Sequence, residues 1–282
     1  MPRPPAASIA AARDASGFTR CFARARRQRR CALIPYITAG DPSLAASREI
    51  ALALAAAGAD IIELGVPFSD PVADGPVIQR ASERALRQGV TAREVIALAA
   101  EIRRQSAVGL LLFGYANPFL RLGWDRFAAQ AAAAGVDGVL VTDLIPEEAG
   151  AYRQALAARG LEPVFLAAPT SPAARLAAIG AASRGFIYAV SRTGVTGARR
   201  QVPAGARALV ARIRRHTRLP VALGFGLSTA AQVAEVATFA DGAVVGTALV
   251  AAIHAAVERG GDAAAGPAAG AFLRALQGPR AG

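Results

Sequence analysis

Short apolar runs alternate with longer Ala- and Leu-rich stretches along most of the chain. The apolar runs are continuous, whereas a strand with one wet face alternates apolar and polar positions. Continuous runs are typical of parallel strands that are buried on both faces of a sheet. The pattern predicts eight such strands, at residues 31–38, 60–65, 109–114, 138–142, 163–167, 185–190, 220–224 and 242–246.

The stretches between these runs have the apolar spacing and the end signals of helices. Ser43, Thr91 and Thr229 stand at N-cap positions, where a side-chain oxygen accepts a hydrogen bond from the first turn. Eight strands alternating with helices indicate a single α/β domain, a (β/α)8 or TIM barrel. A doubly wound sheet is the alternative. Helices are predicted at residues 44–57, 124–134, 147–159, 173–182, 204–216 and 230–236.

The first 16 residues differ from the rest of the chain. They are rich in Pro and Ala and lack the apolar core of a signal peptide. Such a segment buries little apolar surface, so we expect a disordered extension at 1–16 and the barrel at 17–282. No apolar run reaches the roughly 20 residues that cross a bilayer, so we expect no membrane association. Two isolated Cys favour a reducing, cytoplasmic compartment over a disulfide framework.

The composition excludes several kinds of chemistry. All 32 basic residues are Arg and none is Lys, so this chain can form no Schiff base with a substrate or with pyridoxal phosphate. Two His and two Cys make a four-ligand zinc site only if all four converge or carboxylates join them. Proton transfer must therefore depend on Asp, Glu or Tyr, and we expect neither a metal nor a cofactor on this chain.

The formal net charge of +12 is unevenly distributed. Residues 163–234 carry ten Arg and no acid, and the first 30 residues include the run Arg24, Arg26, Arg27, Arg29 and Arg30. A nucleic-acid-binding protein would use such blocks to contact phosphates. Aromatic platforms and base-reading motifs are missing nearby, so a solvated helix face is the favoured interpretation and no nucleic-acid partner is expected.

The functional groups of a (β/α)8 barrel cluster just after the carboxyl ends of its strands. Glu63 stands within the second apolar strand, and Asp70 and Asp74 follow on a loop that contains Pro67 and Pro71. A carboxylate inside such a strand must face the barrel interior or be paired, because burying it alone is costly. Burial raises the pKa of a carboxyl, which suits general acid/base catalysis. A structural carboxylate bonded to a neighbouring strand is the alternative.

Three other strand ends also carry candidate groups. Tyr188 precedes a loop with two Gly, two Thr and three Arg, which is typical of a mobile lid, with an ordinary surface turn as the alternative. Glycine turns after the seventh and eighth strands lead into helices, the usual phosphate site of this fold. By contrast, His216, His254, Cys21 and Cys31 are interpreted as structural or inert.

Six segments, in this order, resemble the tryptophan synthase alpha subunit family. They are PYITAGDP (35–42), ELGVPFSDPVADGP (63–76), VLVTDLIPEE (139–148), SRTGVTG (191–197), GFGLS (224–228) and VVGTALV (244–250). The long second segment is highly specific. The resemblance implies a lyase of tryptophan biosynthesis that cleaves indole-3-glycerol phosphate to indole and glyceraldehyde 3-phosphate. The alternatives are a stand-alone indole-3-glycerol-phosphate lyase and a catalytically silent barrel.

The same resemblance implies roles for single residues. Glu63 would be the acid/base and Asp74 would accept a hydrogen bond from the indole N–H. Tyr188 would position the substrate, and Thr196 on the lid would bond Asp74. Backbone N–H groups would hold the phosphate at Gly197, Gly226, Gly246 and Thr247, the last standing where the family has Ser. The indole pocket would be lined by Tyr36, Phe113, Thr142, Phe225 and Val244.

The resemblance also implies a partner. Asp70 and Pro71 would lie near an interface with a separate beta subunit in an α2β2 heterotetramer. That subunit would hold pyridoxal phosphate and join indole to serine.

Overall fold

All eight predicted strands form in the computed structural model, which describes residues 17–190, 202–224 and 226–277. They are parallel and close into one barrel in the order of the sequence, with β8 paired to β1. Closure excludes the doubly wound alternative, in which the sheet has two open edges. The strands are β1 Ala32–Thr38, β2 Ile61–Gly65, β3 Gly109–Gly114, β4 Gly138–Val141, β5 Glu162–Ala167, β6 Ile187–Val190, β7 Val221–Gly224 and β8 Gly242–Val245.

Helices surround the barrel and cover the outward face of the strands. A short 3₁₀ turn, Asp262–Ala264, separates the last two of them. The helices are α1 Gly17–Arg27, α2 Leu44–Ala56, α3 Pro76–Arg87, α4 Ala92–Arg103, α5 Ala116–Leu120, α6 Trp124–Ala133, α7 Gly150–Ala157, α8 Ala173–Ala182, α9 Ala204–Arg214, α10 Ala230–Ala237, α11 Thr247–Gly260 and α12 Ala265–Leu276.

The predicted caps are confirmed, whereas the predicted bounds of two helices, 147–159 and 204–216, are wrong by two or three residues. The hydroxyls of Ser43, Thr91 and Thr229 accept hydrogen bonds from the first turns of α2, α4 and α10. Helix α7 begins at Gly150 instead of residue 147, because the preceding segment turns and Glu148 N–H donates to the Ile145 carbonyl. Helix α9 ends before His216, which lies in the following turn.

Each strand presents alternate residues to two separate cores. On β2, Ile62 and Leu64 pack outward against the helices, whereas Ile61 packs inside the barrel with residues of other strands. Glu63 is two residues from Ile61, and side chains two residues apart on a strand lie on the same face, so Glu63 lies on the inward face. Both faces are apolar, so the sequence runs are continuous and do not reveal which residues point inward.

Helix α1 covers the amino-terminal end of the barrel. Phe18 and Phe22 are buried there against Phe186, with ring centroids 5.4 and 5.5 Å away. Arg24 and Arg30 bind the carboxylate of Asp60, which is fully buried. The interpretation of this arginine run as a solvated face is therefore wrong for these two residues, since they pair with a buried acid; Arg26, Arg27 and Arg29 are exposed.

Three aspartates repeat one arrangement at this same end. Asp60, Asp137 and Asp241 each precede an even-numbered strand and accept a hydrogen bond from a backbone N–H of the strand before it, at 2.9 Å. Each also pairs with arginine: Asp60 with Arg24 and Arg30, Asp137 with Arg103, and Asp241 with Arg214. Carboxylates at the amino-terminal end of the barrel thus fasten neighbouring strands together.

Candidate active site

Predicted site residues from four strands meet inside the carboxyl-terminal end of the barrel. Tyr36 on β1 is in register with Glu63 on β2. The Tyr36 ring meets the Phe113 ring edge to face, with centroids 5.4 Å apart, and Phe113 lies 6.4 Å from Tyr188 on β6. The result is a mostly aromatic cluster around one carboxyl, formed by Tyr36, Phe113, Tyr188 and Glu63 and called the aromatic chamber below.

Two glycines make room for the tyrosines in this chamber. A Cβ atom at Gly65 would lie 2.2 Å from the Tyr36 hydroxyl oxygen, and one at Gly224 would lie 2.5 Å from the Tyr188 ring. Side chains at either position would therefore displace a ring of the site. This close approach is the reason that β2 and β7 end in glycine.

Glu63 is fully buried, and neither of its carboxylate oxygens has a hydrogen-bond partner among the described residues. Burial raises the pKa of this carboxyl well above its ordinary value, since the charged form loses its hydration. Buried polar groups are nearly always satisfied in proteins. An unsatisfied carboxyl on the wall of a chamber is therefore a group available to bind or protonate a ligand.

Asp74 lies on the loop after β2 and is partly buried. Its Oδ2 atom accepts a hydrogen bond of 3.0 Å from the Tyr115 hydroxyl, which follows β3. Burial raises the Asp74 pKa to about 6, although the Tyr115 hydrogen bond opposes the rise. Sequence reasoning missed Tyr115; its position directly after a strand end was the available signal.

The ends of β7 and β8 lie beside this chamber. Val244 is buried on β8 and is in register with Gly224 on β7. Gly246 precedes helix α11, and Thr247, its first residue, is 9% exposed. The first turn of a helix has free backbone N–H groups and a positive dipole end, so it attracts an anion.

Comparisons with known proteins identify the kind of barrel. Residues 22–268 match the family model described as "Tryptophan synthase alpha chain". Relatives with that name include one from Solibacter usitatus, 52% identical over 82% of this chain and 86% of its own, and one from Geobacter sulfurreducens, 51% identical over 81% and 87%. The chain belongs to the tryptophan synthase alpha chain family.

Solved structures of tryptophan synthases agree with this assignment. A Mycobacterium tuberculosis tryptophan synthase chain superposes with a TM-score of 0.86 at 42% identity, covering 94% of this chain and 98% of that one. A Legionella pneumophila alpha subunit gives 0.85 at 36% identity, covering 93% and 97%. As a member of the tryptophan synthase alpha chain family, the chain is a lyase that cleaves indole-3-glycerol phosphate in tryptophan biosynthesis, and the stand-alone lyase is not favoured.

The remaining family-implied residues fall into two groups. Thr196, Gly197 and Phe225 lie outside the described residues. Thr142 is half-buried just beyond β4, and its hydroxyl donates to the Gly114 carbonyl at 3.1 Å. On the loop after β2, Asp70 is exposed and Pro71 is half-buried.

The histidines and cysteines are not among the residues of the tryptophan synthase alpha chain motifs. His254 is on α11, 3.5 Å from Glu258, and His216 is exposed. Cys21 and Cys31 are buried free thiols, and burial raises their pKa to about 12 and about 11. Within the described ranges, no three His, Cys, Asp or Glu side chains are grouped to hold a metal ion, and no helix is long and apolar enough to cross a bilayer.

Proposed function

We propose that Glu63 is the general acid and base of indole-3-glycerol phosphate cleavage in this chain. The observation that carries the proposal is the fully buried, unpartnered Glu63 carboxyl inside an aromatic chamber. Its raised pKa favours the protonated form, which can donate a proton to carbon. The structural alternative requires a bond to a neighbouring strand, and Glu63 has no such bond among the described residues.

The cleavage needs a place for the electrons of the breaking carbon–carbon bond. Protonated Glu63 gives its proton to indole C3, which makes the ring an electron acceptor. The carboxylate that results takes the proton from the hydroxyl on the neighbouring glycerol carbon, so that an aldehyde forms. The electrons of the broken bond return to the ring and indole leaves. The indole ring thus replaces a lysine imine, which this chain cannot make.

Asp74 complements Glu63 in this scheme. Its carboxylate accepts a hydrogen bond from the indole N–H and stabilises the positive charge that develops on the ring after C3 is protonated. A pKa near 6 leaves Asp74 mainly ionised at neutral pH, while burial raises the Glu63 pKa well above its ordinary value and favours its protonated form. Two carboxyls with separated pKa values are the usual arrangement for distinct acid and anion roles.

The substrate is proposed to lie across the end of the barrel. The indole ring would pack among Tyr36, Phe113 and Val244, with Thr142 and Phe225 completing the pocket and Tyr188 positioning the substrate beside Glu63. The phosphate would bind backbone N–H groups in the turns after β7 and β8. These groups belong to Gly226, Gly246, Thr247 and, on the lid that carries Thr196, Gly197.

A separate beta subunit is the proposed partner. Three large apolar side chains are markedly exposed among the described residues, in the segments that follow β2, β3 and β4: Val72 on a loop at 85%, Leu120 at the end of α5 at 48%, and Ile145 on a loop at 41%. Asp70 and Pro71 adjoin Val72 in sequence. Exposed apolar side chains on one rim are typical of a protein–protein interface. The beta subunit would carry pyridoxal phosphate and complete an α2β2 assembly.

Two further assignments stay predictions. One is a cytoplasmic location. The other is the division of the chain into an extension at 1–16 and one catalytic domain at 17–282.

Indole release from indole-3-glycerol phosphate, measured with and without a tryptophan synthase beta subunit, tests the scheme. We expect the wild-type chain to release indole and the Glu63→Gln and Asp74→Asn variants to lose most of that activity. Added beta subunit should accelerate the wild-type chain, and Val72→Asp should weaken that acceleration without changing the activity of the alpha chain alone. Near wild-type release by folded Glu63→Gln would contradict the proposed acid/base.

A further inference from the structure

Tyr115 connects three segments around the site. It follows β3, is 3% exposed, and donates its hydroxyl hydrogen to Asp74 Oδ2 at 3.0 Å. The same oxygen accepts a hydrogen bond of 3.0 Å from the backbone N–H of Ala73. The Tyr115 ring also packs on Phe68, with centroids 5.0 Å apart. One rigid side chain therefore holds both halves of the loop after β2.

The hydrogen bond fixes which oxygen of Asp74 is free. Among the described residues, Tyr115 is the side chain that donates to this carboxylate, and it occupies Oδ2. The Oδ1 atom is left for another donor. Since Ala73 N–H takes a lone pair of the Tyr115 oxygen, the phenolic hydrogen is directed toward Asp74 and the bond has a defined polarity.

The other titratable groups near Asp74 give it no compensating charge. Within the described part of the chain, Tyr36 from β1 and Tyr188 from β6 interact electrostatically with Asp74, and the same two tyrosines also interact with Glu63 from β2. Burial and the nearby carboxyls raise the pKa of both tyrosines well above the ordinary value, so they stay neutral. The Tyr115 hydrogen bond is therefore the resolved contact that opposes the effect of burial on Asp74.

We infer that Tyr115 is a positioning residue that keeps Asp74 ionised and holds Oδ1 free for the indole N–H. The inference rests on the proposed role of Asp74. A hydrogen bond from a neutral hydroxyl to a carboxylate is stronger than one to the protonated acid, so it favours the charged form. Without it, Asp74 would take up a proton at a higher pH and would turn more freely on its loop.

The pH profile of indole release by Tyr115→Phe tests the inference. The acidic limb of the wild-type profile should follow Asp74 and fall as the pH drops through about 6. Removing the donor should move that limb upward by about one pH unit, so that kcat/KM falls about fivefold at pH 6, about tenfold well below pH 6, and hardly at pH 8. Tyr115→His, which keeps a ring and an N–H donor, should recover part of the shift.

Tyr152→Phe is the matched control. Tyr152 is also a buried tyrosine, but its hydroxyl donates to the Val139 carbonyl at 2.7 Å, away from Asp74. It should lower stability without moving the limb. If Tyr115→Phe folds poorly, carbon-13 NMR titration of the Asp74 carboxyl, assigned with Asp74→Asn, measures the same shift in the remaining folded protein.

Failure of the inference about Tyr115 and failure of the proposed role of Asp74 would give different results. An unchanged limb, or an unchanged Asp74 titration, in Tyr115→Phe would overturn the inference while leaving an inactive Asp74→Asn consistent with the proposed function. Wild-type indole release by Asp74→Asn would instead contradict the role of Asp74 itself.

Discussion

Asp60 directly precedes β2 and Glu63 lies three residues further along, in the middle of that strand, and both are fully buried. Asp60 accepts hydrogen bonds from Arg24, Arg30 and the backbone of Leu33. Glu63 has no hydrogen-bond partner among the described residues. The same functional group thus stabilises the fold just before the strand and is left unsatisfied within it, where we propose that the substrate uses it.

The difference indicates that acids at the amino-terminal end of the barrel stabilise the fold, whereas the acid toward the carboxyl-terminal end is available for catalysis. At the amino-terminal end, the buried Asp60 and the partly buried Asp137 are paired with arginines from α1, from the turn before β1 and from the end of α4. At the carboxyl-terminal end, the burial of a carboxyl is uncompensated, which costs stability and raises the pKa. Three substitutions measure this division.

The largest expected effect is on kcat, which should distinguish Glu63 from Asp60. Glu63→Gln should reduce kcat for indole release by about 10²–10⁴-fold, because the acid/base is lost. Asp60→Asn should leave kcat per folded molecule near the wild-type value, since Asp60 faces the opposite end of the barrel. Rates are to be normalised to the folded fraction from circular dichroism. Equal losses in both variants would remove the proposed distinction.

The free energy of unfolding should depend strongly on Asp60, the acid whose substitution is expected to leave kcat unchanged. Asp60→Asn should lower the free energy of unfolding by about 3 kcal/mol, because two arginines lose the carboxylate that they share. Urea denaturation measures the difference. A change below about 1 kcal/mol would mean that solvent screens Arg24 and Arg30 enough to make the cluster unimportant.

Glu63→Gln should make the protein more stable at pH 8, by about 1–2 kcal/mol, because an unsatisfied ionisable group is replaced by a neutral one. Since folding raises the Glu63 pKa, the stability penalty is absent below the ordinary glutamate value and grows as the pH rises toward the folded value. The gain should therefore shrink between pH 8 and pH 5. A gain independent of pH would indicate better packing instead.

The smallest effect is expected at Asp241. Asp241 is 28% exposed and its partner Arg214 is 48% exposed, so solvent screens this pair. Asp241→Asn should cost about 1 kcal/mol in unfolding free energy, mostly through the bond to the Val221 N–H. A loss as large as that of Asp60→Asn would show that the backbone bond, and not the buried ion pair, controls stability at this end.

The strands were predictable because residues that are buried on both faces of a sheet leave uninterrupted apolar runs. The helix caps were predictable because a cap side chain bonds a backbone N–H within four residues of its own position. The motif-bearing acids Glu63 and Asp74 were predictable as candidates. Tyr115 was not, because its partner Asp74 lies 41 residues away and no local pattern records that bond. The pairing of Arg24 and Arg30 with Asp60 was missed for the same reason.

The sequence by itself determined the eight-strand α/β pattern, the absence of lysine chemistry and the family of the chain. The tertiary structure decided which face of each strand points inward and which acids find a partner. Strand parity and apolar runs are local properties, whereas the solvation of a carboxyl depends on groups brought together from distant parts of the chain. Asp60 and Glu63 carry the same functional group and have nearly the same place in the sequence, and closure of the barrel gives them opposite environments.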